Sequence, residues 1–343
     1  MGVRGKRGSL DGGSLVPRDS DISVVIPMYN RADLMTETLE AVLSQTRPAA
    51  GVIVVDDGST DDEVAKLGRF ADAIQIVRQH NQGVQRARNV GIQRATTSWV
   101  ALCDTDDVWQ PDWLERIVAL RSADPGIDFV FGNFHILRDG VLAEGTKFDD
   151  APAGYWEAAN VERMPEGWAF SASLAGSTFR WHPMFPSAMA FSKELIARTG
   201  AFDPKLNGRS NEDGEFTLRL LYHARAGAIP EARVTIRKHG ENFSRDRLQN
   251  LIDEVWSLDF VKHNHPEARP YIGIIEQEIV KRSIAAANLA FVAHDHDLAR
   301  RLIKGVAWKQ RPLKLHLKRL VAALPDPVAI PANDFLQKIA DRG

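Results

Sequence analysis

The feature that most restricts this chain is an alternation of short aliphatic runs with stretches of helical spacing. Ile22-Ser23-Val24-Val25-Ile26 is such a run, closed by Pro27, and predicts a buried strand. Leu34, Thr38, Leu39, Val42 and Leu43 then recur at helical intervals, and Pro48 stops that helix. Val52-Ile53-Val54-Val55 predicts a second strand running into Asp56-Asp57-Gly58-Ser59-Thr60, and Asp61 and Asp62 suit the N-terminus of a further helix. Ile74 to Val77 predicts a third strand, Ala87 to Arg94 a helix, and Trp99 to Cys103 a fourth strand leading directly into Asp104. Pro111 is expected to open the next helix, with Trp113, Leu114, Ile117, Val118 and Leu120 as its apolar positions. Alternation with short connections points to an α/β fold, a mainly parallel sheet flanked by helices on both faces. In such sheets ligands bind beyond the carboxyl ends of the strands, where Asp57 and Asp104 both stand.

After Phe129-Val130-Phe131 the alternation dissolves. Residues 140–185 carry Gly, Pro and Trp with weak periodicity, which predicts loops and short elements. A strand at Ala188 to Phe191, a helix at Lys193 to Thr199 closed by Gly200, a helix at Glu212 to Tyr222 and a strand at Ala232 to Arg237 follow. Beyond Leu248 the pattern is helical. The expected division is a disordered tail (1–20), an α/β domain (21–245, with 21–120 forming the ligand half) and a helical C-terminal extension (246–343). The formal charge of -2 gives no basic field, so nucleic acid is not an expected partner. The single Cys103 excludes an internal disulfide and fits a reducing compartment. No apolar run approaches the roughly 18 residues that span a bilayer, and Met1 to Ser20 lacks the apolar core of a signal peptide. A cytoplasmic location is expected.

Asp104-Thr105-Asp106-Asp107 carries the clearest chemistry. Asp clusters also cap helices and make turns, but this one follows a buried strand. Mg²⁺ and Mn²⁺ prefer carboxylate oxygens, keep several waters and take remaining ligands from a substrate's phosphates. Asp57, after its own strand, can accept a hydrogen bond from a base N–H or a ribose hydroxyl; an Asx-turn or helix cap is the plainer reading. Asp56 is expected to be the structural member of that pair.

Four segments occur in order: Val25-Ile26-Pro27-Met28-Tyr29-Asn30, Val54-Val55-Asp56-Asp57-Gly58-Ser59-Thr60-Asp61, Asn81-Gln82-Gly83 with Ala87-Arg88-Asn89-Val90-Gly91, and Asp104-Thr105-Asp106-Asp107. Together they closely resemble the family 2 glycosyltransferases, inverting enzymes with the GT-A fold of nucleotide-diphospho-sugar transferases. The resemblance covers about residues 21 to 120 and continues more loosely to about 245. It implies that Pro27 and Tyr29 line the base pocket, that Asp57 contacts the base (typically uracil), and that Arg88 faces the nucleotide. Asp104 would meet the ribose or donor sugar and Asp106 would be the principal ligand of Mn²⁺ or Mg²⁺. Asp107 is left between orienting the loop and binding sugar.

Asn211-Glu212-Asp213-Gly214, preceded by Gly200-Ala201-Phe202-Asp203, is similar to the family's Glu-Asp segment. This implies Asp213 as catalytic base, with Glu212 as the competing candidate; by composition alone the segment is an acidic helix start. Arg237-Lys238-His239, followed by Asn242 and Ser244, resembles an Arg-x-His segment of the family, which implies His239 at the metal or the diphosphate. A histidine near a strand end also serves in packing.

The implied activity is a single inverting displacement from a nucleotide-sugar donor, UDP-sugar favoured, to a hydroxyl of a glycan or lipid-linked acceptor, as in bacterial surface polysaccharide synthesis. Processive members of the family combine membrane helices with a Gln-x-x-Arg-Trp segment after the Glu-Asp motif. Here Arg180-Trp181 precedes that motif and position 177 is Ser, so one addition per encounter is expected. Trp156, Trp168 and Trp181 are expected to shape the acceptor side. Residues 298–320 mix Lys and Arg with Leu, Ile, Val and Trp. That pattern fits a helix packed on the catalytic domain with a solvated basic face, or else peripheral contact with the inner face of the membrane. A non-catalytic nucleotide-sugar-binding module would be expected to lose Asp106 or Asp213. A sugar-1-phosphate nucleotidylyltransferase would carry a Gly-rich, Arg-containing loop where Pro27 to Asn30 stands, and a dehydrogenase a Gly-x-Gly-x-x-Gly.

Overall fold

The computed structural model describes residues 21–60, 67–171, 173–209, 211–238 and 247–340. The expectations for the tail at 1–20, the helix start at Asp61 and Asp62, and His239, Asn242 and Ser244 lie outside these residues.

The chain begins with β1 (Ile22–Met28), α1 (Ala32–Leu43), β2 (Gly51–Asp56), β3 (Gln75–Arg78), α2 (Val84–Arg94) and β4 (Trp99–Leu102). It continues through β5 (Val108–Trp109), α3 (Trp113–Ala123), β6 (Phe129–Arg138), β7 (Val141–Leu142), α4 (Tyr155–Ala158), β8 (Val161–Met164), β9 (Gly167–Phe170) and α5 (Ala175–Thr178). Then come β10 (Met189–Ser192), α6 (Lys193–Thr199), α7 (Glu212–Leu221) and β11 (Ala226–Lys238). The extension comprises α8 (Arg247–Asn264), α9 (Ile272–Val292), α10 (His296–Gly305), α11 (Leu313–Val321) and α12 (Asp326–Ala340).

Among the described residues one mixed sheet runs in the order β3-β2-β1-β4-β10-β6-β11-β9-β8, with β5 beside β11 and β7 beside β6. Its β3-β2-β1-β4 portion is parallel, as the alternation predicts. β10 then enters antiparallel between β4 and β6, and β6 pairs parallel with β11. Strands buried on both faces split their side chains by period 2. Val24, Ile26, Val52, Val54 and Ala101 join α1 and α3 residues Met35, Leu39, Trp113 and Ile117 in one core. Val25, Ile53, Val55, Val100 and Leu102 join Ala87 and Ile92 of α2, Phe216 of α7 and Val261 of α8 in the other. α2 sits so close to β1 that a Cβ on Gly91 would lie 2.2 Å from Val25 Cγ1.

Three elements differ from expectation. β6 continues through Gly132, beyond Phe131 where the alternation dissolves. The Trp113 ring packs on that glycine, 2.5 Å from where a Cβ would stand. β11 starts earlier than Ala232 because a shift in register between Ile229 and Val234 absorbs Pro230. Pro111 precedes α3 by two residues, its carbonyl accepting from Thr46 N–H at 2.8 Å. Within residues 140–185 the elements are short, as expected, and the β8–β9 hairpin extends the sheet beyond β11.

Candidate active site

The loops after β1, β2 and β4, together with residues 207–209 and 211–213, enclose a cleft of about 550 Å³. Pro27, Tyr29, Asp57, Arg88, Asp104, Asp106, Glu212 and Asp213 all line it. Eight of the nine expected site residues thus meet in one place; the ninth, His239, lies outside the described residues.

Asp57 is buried at the end of β2. Its Oδ1 accepts from Gln79 Nε2 (2.6 Å) and Gln82 N–H (2.9 Å), and its Oδ2 from Gly83 N–H (2.8 Å). One carboxylate therefore shapes the Asn81-Gln82-Gly83 loop before α2. Gly83 has φ +92°, and a Cβ there would strike the Asn207 side chain. Asp56 accepts from Ser59 N–H (2.8 Å) and lies 3.3 Å from Arg78 Nε, so both members of the pair hold the turn.

Arg88 is the hub. Only 3% exposed, its guanidinium donates to both oxygens of Asp104 (2.9 and 3.1 Å) and to Glu212 Oε1 (3.2 Å). It lies over the Phe202 ring at 5.2 Å. Burial works against its charge, but Asp104 and Glu212 outweigh this and hold it above its ordinary value. Asn89 clamps the Phe202 backbone in both directions, and Phe202 stacks on Phe216 of α7 at 3.9 Å. The Ala87-Arg88-Asn89 segment and the Gly200–Asp203 lead-in are therefore one contact in space.

Within the acidic turn the roles separate by environment. Asp107 is buried; Ser187 Oγ donates to Oδ2 and Arg237 N–H to Oδ1 (2.9 Å), while Thr38 Oγ1 donates to the Thr105 and Asp107 carbonyls (2.9 Å each). Burial, then the charges of Asp106 and Asp104, push its carboxyl well above the usual range. Asp107 thus ties the turn to β11 and to residue 187. Asp106 faces the cleft, 3.7 Å from Arg31 Nη1. No group of three or more His, Cys, Asp or Glu that could hold a metal occurs among the described residues. The donor set fits a hard cation held by one carboxylate and completed by water and substrate phosphates.

Glu212 and Asp213 open α7 after Asn211, whose φ of +108° is unusual for a residue with a side chain. A Cβ on Gly214 would lie 2.3 Å from Asn211 Oδ1, so that glycine permits the turn. Burial and Asp213 raise the Glu212 carboxyl to about 7, against the opposing pull of Arg88. Asp213 Oδ1 accepts from Gly214 N–H at 2.9 Å. α7 is pinned from behind. Arg219 donates to the carbonyls of Thr199, Gly200 and Ala201, and to Glu215, which also meets His265 Nε2 at 3.0 Å.

Sequence reasoning missed Arg31, Ser187, Asn207, Arg209 and Lys238, all of which line the cleft or hold its acidic turn. Arg31 directly follows the Asn30 motif and was within reach; Ser187 lies 80 residues from Asp107, with no local signal. Trp156, Trp168 and Trp181 do come together, at ring distances of 5.1 and 5.8 Å from Trp156, but they pack on one another and on Phe148, not on this cleft.

A parallel β3-β2-β1-β4 set, an antiparallel β10 insertion and an acidic cleft at the strand ends constitute a GT-A fold. Residues 23–166 match the description "Glycosyl transferase family 2", which supports membership of that family. An uncharacterized glycosyltransferase of Nostoc sp., alr2836, is 30% identical over 225 residues, covering 64% of this chain and 66% of the relative. The chain thus spans just under two thirds of that relative's length. The solved structure of S. aureus TarS 1-349 in complex with UDP-GlcNAc has a TM-score of 0.57 at 19% identity, over 87% of each chain. Mannosyltransferase PcManGT from Pyrobaculum calidifontis, in complex with GDP-Man and Mn²⁺, has a TM-score of 0.54 at 21% identity, over 92% of this chain and 87% of that one.

Proposed function

We propose that this chain is an inverting glycosyltransferase that moves a sugar from a nucleoside-diphosphate donor, UDP-sugars favoured, onto a hydroxyl of a glycan or lipid-linked acceptor. Residues 21–245 form its catalytic unit. One sugar is added per encounter, in bacterial surface polysaccharide synthesis. The observation that carries this reading is the meeting of Asp213 with Asp104 and Asp106 in one cleft, across the Arg88 bridge. A module that only bound nucleotide-sugars would have no use for a carboxylate at position 213.

Inverting transfer needs one displacement at the anomeric carbon. Asp213 takes the acceptor hydroxyl's proton as the new C–O bond forms and the bond to the diphosphate breaks. Its Oδ1 accepts from Gly214 N–H, which leaves Oδ2 for the acceptor proton. Arg31, Arg237 and Lys238 line the same cleft and favour the charge growing on the leaving diphosphate. Asp106 would hold a divalent metal together with the donor phosphates, and that ion would supply further stabilisation of the leaving group. Asp57 and Tyr29 frame the base, and Asp104, oriented by Arg88, meets the ribose or sugar.

A thermal-shift screen of sugar nucleotides with Mn²⁺ tests the reading, because a ligand that binds only the folded state raises its stability. A UDP-sugar is expected to give the largest rise, lost on adding EDTA. Stabilisation by no sugar nucleotide would refute the proposal.

A further inference from the structure

Residues 298–325 contain eight Lys and Arg and no Asp or Glu, in a chain whose formal charge is -2. Three of the eight are spent inside the extension: Arg311 Nε donates to the Val306 carbonyl and Lys318 Nζ to Asn288 Oδ1, both at 2.8 Å, and Arg300 pairs with Asp297. Arg301, Lys304, Lys309, Lys314 and Arg319 are exposed.

α11 is apolar on two sides. Leu315 and Val321 turn inward onto Ile303, Ala287 and Phe291, which satisfies the packing of the helix on α9 and α10. Leu313, Leu317, Leu320 and Leu324 recur at i, i+4, i+7 and i+11 and form a second stripe. They are 85%, 47%, 68% and 43% exposed, and Trp308 beside them is 65% exposed. A groove of about 1070 Å³ opens between α10 and α11, lined by Arg300, Lys304 and Arg319, by Asp297 that pairs with Arg300, and by Trp308 and Leu313. No helix among the described residues is long and apolar enough to cross a membrane.

We propose that the α10–α11 face docks on an anionic lipid surface. Leu313, Leu317, Leu320 and Trp308 enter the acyl boundary while the surrounding cations meet lipid phosphates. Each half of the pattern argues for that one occupant. A row of exposed leucines gains nothing from nucleic acid, whose phosphates would take the cations alone. A two-fold contact between copies through this face would set the same cationic surface against itself, which like-charge repulsion opposes. A bilayer carrying anionic headgroups supplies both the apolar depth and the negative charge.

The test is co-sedimentation of the full chain with vesicles of equal parts phosphatidylglycerol and phosphatidylcholine, against phosphatidylcholine alone, at low salt. Binding to the anionic vesicles only is expected. It should fall at least tenfold in Leu313→Ser/Leu317→Ser/Leu320→Ser and in Lys304→Glu/Lys314→Glu/Arg319→Glu, with melting temperature unchanged. Bromine-labelled lipid should quench a component of the fluorescence that Trp308→Phe removes, a readout that needs no multiple variant. The proposal is overturned if the wild type ignores anionic vesicles, or if the serine variant binds as tightly as the wild type, which would make the contact ionic only. It is also overturned if sedimentation velocity without lipid shows self-association that the same substitutions abolish.

Discussion

The cleft at the strand ends gathers carboxylates among cations, the α10–α11 face gathers mainly cations, and the two treat charge in opposite ways. At the cleft, Asp57, Asp104 and Asp107 each have both oxygens committed to N–H groups, a guanidinium or a hydroxyl. On α10 and α11 most cations project into solvent beside leucines that also remain outside. Buried charge of this kind is costly unless paired, so it persists where it positions a reacting group. Exposed charge costs little and constrains nothing in the fold. The two regions should therefore respond differently to the same kind of substitution.

The largest contrast is expected at the acidic turn. Asp106→Ala should lower kcat/KM by about 10²–10³-fold while leaving the melting temperature nearly unchanged. EDTA should act similarly on the wild type, with recovery on adding Mn²⁺ or Mg²⁺, as followed by donor turnover. Full activity in EDTA would remove the metal from the account.

Next, Arg88→Met strands Asp104 and Glu212 as uncompensated charges and should cost about 3–5 kcal/mol in urea unfolding. Arg301→Met, exposed on α10, should stay within about 0.5 kcal/mol. Equal costs would break the comparison.

A smaller pair probes packing alone. Gly91→Ala forces a Cβ against Val25 and should cost about 1–3 kcal/mol. Gly305→Ala meets nothing within 4 Å and should be neutral or gain up to about 1 kcal/mol.

The finest prediction concerns protons. Glu212, raised to about 7 by burial and by Asp213, takes up a proton as pH falls through that value. Its ion pair with Arg88, which also holds Asp104, weakens in that window, so kcat/KM should fall as pH drops below about 7. In Glu212→Gln that limb should be lost, since the titrating carboxyl is gone. A limb retained in that variant would separate Glu212 from the pH dependence.

The parallel half of the sheet was legible because β-branched runs, helical spacing and acidic turns repeat within a few residues of each other. The cleft residues were legible through the motifs at Pro27 to Asn30, Asp56 to Ser59, Ala87 to Asn89 and Asp104 to Asp107. What stayed hidden depends on distant contact. Ser187 on Asp107, Arg31 on Asp106 and His265 on Glu215 join segments 50 to 80 residues apart, with no pattern that links them. The β10 insertion is invisible for the same reason: a four-residue strand does not reveal its neighbours. Glu215 is held below its ordinary value by His265 and Arg219 against burial, which ties α7 to the extension that sequence could call only helical.

The most direct test of the central claim pairs two readings on Asp213→Asn: calorimetric titration with the sugar nucleotide that stabilises the wild type, and transfer to acceptor. Donor affinity should stay within about twofold while transfer falls by about 10²–10⁴-fold, since only the proton acceptor has been removed. Transfer at the wild-type rate would place the base elsewhere, and loss of donor binding would give Asp213 a different role.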